Sequence, residues 1–202
     1  MRDILNAHEM EYAAMNDIVT TTADEARTAL ADVIGDLAEV YSTEAEERFS
    51  VGWVDAVSRT HVRWRSVDTA GREDGIEVRA LDTVTRVVTG GEYLTCRLKP
   101  LMERWTSPLW PAQRLTGPLD DPVMDALTLS LEDGSIATIW MRNSNVHTGR
   151  VMKLAAAAGT IADLDEYGVV DREVPFRVGD IVSLDLGCEH QRIVQFLSNR
   201  IQ

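Results

Sequence analysis

Positive charge is what this chain has least of. It carries 33 acidic against 20 basic residues, a net charge of −13, and only Lys99 and Lys153 are lysines. A general acidic field repels polyanions, so a binder of nucleic acid over its whole surface is excluded, as is adsorption to anionic membranes. Cysteine is scarce too. Cys96 and Cys188 lie far apart without a Cys-x-x-Cys pair, which excludes a disulfide framework and the usual zinc spacing. No apolar run approaches the length of a membrane-spanning helix. The N-terminus, MRDILNAHEMEY, has charges where a secretion signal needs an apolar stretch. A cytoplasmic location is expected. Proline is absent from most of the chain, with five of its six copies between Pro100 and Pro122.

Catalytic signatures are missing as well. There is no Walker loop, no Gly-x-Gly-x-x-Gly, no His-Glu-x-x-His and no nucleophile elbow. Cys188-Glu189-His190 offers three ligand types but no second pair to complete a tetrahedron. Asp68/Asp74 and Asp165/Asp171 lack the alternating oxygens of a calcium loop and read as turns. No enzyme activity, metal or cofactor is expected.

What is present is a repeat. Sliding the chain against itself by 97 residues aligns Gly52 with Gly149, Asp68 with Asp165, Gly71 with Gly168, Asp74 with Asp171 and Gly90 with Gly187. Apolar positions match in kind, as in Trp64/Ile161 and Leu81/Val178. Upstream, residues 35–41 align with 134–140 after a two-residue difference. Period-two alternation and Asp-x-x-Gly turns predict five strands per copy. They run 36–42, 48–58, 60–68, 75–81 and 84–88, then 135–142, 146–155, 158–166, 173–178 and 181–186. A helix precedes each set. Thr22 and Glu25 form a capping box before 23–34, and Asp121 with Pro122 opens the second. Leu5, His8, Tyr12, Met15 and Val19 form one stripe of an N-terminal amphipathic helix. Residues 93–104 read as a short helix interrupted by Pro100.

The second strand, SVGWVDAVSRTHVRW with its central Gly52, and the closing LDTVTRVV resemble the Sm-like small barrels of Sm, LSm and Hfq proteins. The first copy is also similar to uncharacterised bacterial domains with a VGWV…D..G..DG pattern. The resemblance implies an α+β, mainly β fold. It would consist of two tandem Sm-like five-stranded barrels, each preceded by a helix, plus the N-terminal helix. The organisation expected is an N-terminal helix over 1–20, a first barrel over 21–104, a Pro/Trp linker over 105–120 and a second barrel over 121–202.

One feature departs from the acidic background. Arg59, His61, Arg63 and Arg65 recur at every second residue and so share one face of a strand. Arginine forks bind carboxylate and phosphate, so this is the candidate anion or partner site. Arg72, Arg79 and Arg86 are its candidate neighbours. Trp105 and Trp110 in the linker are candidate interface anchors. The function expected is a non-enzymatic protein-interaction module, such as an adaptor, inhibitor or immunity-like protein. Its partner would be a protein, with self-association as a second option. The alternative is RNA or other nucleic-acid binding through the basic strand of the first copy, which the net charge disfavours.

Overall fold

A computed structural model describes residues 16–43, 49–104 and 121–201. Its first half runs β1 (Asn16–Val19), α1 (Ala23–Ala31), β2 (Leu37–Ser42), β3 (Phe49–Val57), β4 (His61–Val67), β5 (Glu73–Ala80) and β6 (Val84–Thr89). A helical segment follows, Tyr93–Leu98 running into α2 (Lys99–Met102). The second half runs α3 (Pro122–Asp133), β7 (Ile136–Met141), β8 (Val146–Ala155), β9 (Ala158–Leu164), β10 (Val170–Arg177), β11 (Ile181–Leu186) and α4 (Glu189–Ile201).

Local chemistry accounts for most of these boundaries. The Thr22 hydroxyl accepts from the Glu25 N–H, and the Glu25 carboxylate accepts from Thr22 in return, closing the box at the start of α1. The Asp121 carboxylate accepts from the Val123 and Met124 N–H groups, Pro122 takes the first helical position of α3, and Gly134 ends it in the left-handed conformation. Pro100 does not interrupt its helix. It cannot donate to residue 96, and the backbone widens into a π turn over Tyr93–Leu98 immediately before it, so the helix runs through.

The strands form one open antiparallel sheet in the order β1-β6-β2-β3-β4-β5-β11-β7-β8-β9-β10. This overturns the expectation of two separate five-stranded barrels. The cause is the pairing of β5 with β11, Ile76 to Arg79 against Leu186 to Ser183, which joins the last strand of the second half to the fifth of the first. The predicted N-terminal helix is corrected as well. Residues 16–19 are extended and pair with β6 from Arg86 to Thr89, and residues 1–15 lie outside the described part.

The two halves share strand order and register. Arg63 faces Val78 in β4–β5, and Thr160 faces Pro175 in β9–β10, each 97 residues further on. Gly52 faces Ser66 where Gly149 faces Asp163. The bulge between Val54 and Ala56 recurs between Val151 and Lys153. A Cβ on Gly52 would strike the Arg65 carbonyl and the Trp64 ring, and one on Gly149 the Ala162 carbonyl. Only glycine lets β3 curl this tightly onto β4, and β8 onto β9.

Helices cover both faces. α1 packs on Val40, Val54, Val62, Trp64 and Val87. The segment 93–102 packs on the other side, with Leu94 and Leu98 against Leu37, Val51 and Val67. In the second half α3 lies on one face and Val194 of α4 meets Ile136 and Leu164 on the other. The α3 cluster also contains Ile76 and Val78 of β5, so one apolar core crosses the boundary between halves.

Candidate functional site at the seam

The three of these residues that lie in β4, His61, Arg63 and Arg65, share a face, but at Arg63 that face is covered. Arg63 stands opposite Val78, on the side where α3 packs. Its side chain is only 2% exposed and is held by Asp55 at 2.7 Å and by Asp125 of α3 at 3.4 Å. The Asp55 partner sits at the bulge of β3, which brings its carboxylate within reach. His61 Nε2 lies 3.0 Å from the Ile181 carbonyl of the second half, and burial holds its pKa below the ordinary histidine value. Arg65 is partly exposed, stacked 5.3 Å over the Trp53 ring and 3.9 Å from Glu73. Arg59 is exposed in the turn before β4. The four residues therefore do not form one open anion site. Two of them tie the halves together.

The neighbouring arginines separate too. Arg72 bonds Asp68 within its own turn. Arg86 pairs with Asp17 of β1. Arg79 points to the opposite face of the sheet, where the seam carries buried charge. Its guanidinium donates to Asp185 of β11 at 2.7 Å and to Glu77 at 2.8 Å. Glu77 also accepts from the hydroxyls of Ser50 and Ser66. Burial pushes the Asp185 carboxyl up to about 6 against the pull of Arg79. Burial likewise raises the Cys188 thiol, which points at the Ile76 carbonyl. His190 is exposed, so Cys188 and His190 face different surroundings and do not converge.

Above this network lies a cleft of about 810 Å³. Val40, Ser42, Phe49 and Ser50 line it from β2 and β3, with Trp64 and Arg79 beyond them. Trp140, Met141, Arg142, Ser144, Val182 and Ser183 line it from the second half. Arg79 sits between two indoles, 5.6 Å from the Trp64 ring centre and 5.8 Å from that of Trp140, a cation–π arrangement that fixes its position. The Trp64 N–H is buried without an acceptor among the described residues. At the rim, Arg142 pairs with Asp82 across the seam at 3.0 Å.

A second exposed feature lies at the far end of the second half. Tyr167, Val169 and Val170 before and in β10, and Ile193 and Phe196 on α4, are large apolar side chains left in solvent. Gly168 packs its backbone on the buried side of α4, at Val194 and Ser198, whereas Ile193 and Phe196 stand on the solvent side of that helix. The sequence reading missed α4, although Val194, Leu197 and Ile201 recur at helical spacing. Trp105 and Trp110, the predicted anchors, lie outside the described residues.

None of the described helices is long and apolar enough to cross a membrane. No family model matches the chain, and neither the curated proteins nor the solved structures contain a match to it.

Proposed function

We propose that this chain is a duplicated, Sm-like pair of units fused through one sheet, and that it acts as a non-enzymatic protein-interaction module. Duplication is supported by the shared strand order and register. The observation that carries the interaction reading is the large apolar side chains left in solvent in the turn before β10 and on the outer side of α4, where Tyr167 is 65% and Phe196 59% exposed. Exposed aromatics are enriched at docking surfaces. Asp165, Glu166, Asp171 and Glu173 flank Tyr167, Val169 and Val170 along the chain and are exposed. An apolar centre with an acidic rim fits a protein whose own apolar anchor is ringed by basic residues.

The ends of the sheet argue for docking through this face and against edge-to-edge assembly of copies. β1 covers β6 at one end. β10 at the other end carries Pro175, a bulge between Val170 and Arg172, and exposed Asp171, Arg172, Glu173 and Arg177. Proline, bulges and charge are the standard guards of a free strand edge. An RNA contact along β4 has only Arg59 and Arg65 to offer, since Arg63 is internal and doubly paired.

The test uses the full chain and a Tyr167→Ser/Phe196→Ser variant as paired baits. A protein retained by the wild type and lost with the variant, and then shown with purified components to bind in a salt-sensitive manner, is the expected result. Identical retained proteins for the two baits would refute this docking surface.

A further inference from the structure

The seam cleft does not take part in the docking just described, and its lining has a chemistry of its own. We propose that it binds a small planar acid, a flat ring bearing one carboxylate or phosphate. The ring lies in the cleft against Trp140, and the acid meets Arg142 at the rim.

Four observations lead there. The first is size and place: a cleft of about 810 Å³ between two structural units is where small molecules are most often held. The second is charge. In a chain of net charge −13, the charged residues that line the cleft among the described residues are two arginines, Arg79 and Arg142. The third is that these two arginines have different duties. Arg79 is fully engaged by Glu77, Asp185 and the two indoles and forms a fixed floor. Among the described residues the Arg142 guanidinium holds Asp82, in a pair where both side chains are about half exposed, 56% and 50%. Such a pair is weak, so a ligand anion can replace Asp82. The fourth is that the turn carrying Arg142 is braced. Its N–H donates to the Asp180 carbonyl at 2.8 Å, and Ser144 is held in the left-handed region with φ of 67°. The guanidinium thus stands on a braced turn that also brings Ser144 to the cleft, and charge-assisted bonds to a carboxylate or phosphate suit its fork.

The probes are 2-naphthoate and 2-naphthyl phosphate, with uncharged 2-naphthamide as control. The readout is the set of indole N–H signals of the ¹⁵N-labelled full chain, with Trp140 assigned through Trp140→Phe. The expected result is a saturable shift of the Trp140 signal with at least one acid and none with the amide; which acid shifts it distinguishes a carboxylate ligand from a phosphate. Arg142→Gln weakens binding about tenfold. Asp82→Asn, which frees Arg142, tightens it, a gain that loss of folding cannot imitate. Absence of a Trp140 shift with either acid up to millimolar concentration would overturn the proposal. So would equal binding of the amide, or affinities that ignore both substitutions.

Discussion

Arg63 and Arg65 sit two residues apart on one strand and have opposite fates. Arg63 is enclosed by two carboxylates under α3, while Arg65 lies partly in solvent over Trp53. Removing a buried partner leaves uncompensated charge, whereas an exposed pair contributes little. Arg63→Ala is therefore expected to cost about 3–5 kcal/mol, and Arg65→Ala under about 1 kcal/mol, in urea unfolding. Equal small losses would show that Arg63 is not a structural tie. Period-two spacing correctly put these side chains on one face. It carried no sign that the face would be covered, because the covering carboxylate, Asp125, belongs to a helix of the other half and leaves no local pattern.

At the level of elements, the position of Pro175 is informative. Its counterpart in the first half is Val78, which pairs with Leu184 of β11 across the seam. The same place in the strand is joined in one half and deprived of its N–H in the other. Pro175→Val restores the donor and is expected to let β10 pair with a second copy. Sedimentation should then show concentration-dependent association that the wild type lacks, and a variant as monomeric as the wild type would mean that the bulge and charges suffice. Most elements were legible in the chain. Capping residues announced α1 and α3, and glycines with alternating apolar residues placed ten strands close to their observed bounds. The missed elements have separate causes. β1 lies within a stripe that reads as helix, and its four residues are extended because β6 offers them a ladder. The cleft escaped notice because its walls come from six strands distant in the chain. Of its lining residues, Trp64 reads in the sequence as a strand position and only Arg79 as a candidate neighbour of a site.

On the scale of the whole molecule, the α3 core borrows Ile76 and Val78 from the first half. Asp74 binds the first turn of α4 through the Glu189 N–H and Arg192. Units coupled this way have no independent stability, so thermal unfolding should follow one cooperative transition with coincident near- and far-ultraviolet dichroism. Two resolved transitions would separate the halves. The seam also has a consequence in time. β5 is complete at Ala80, but its partner β11 ends at Leu186, roughly a hundred residues later. At ribosomal speeds of about 5–20 residues per second, the first half waits for on the order of 5–20 s with the edge of β5 bare. It is during synthesis, before Leu186 has emerged, that this protein most needs shielding from other chains.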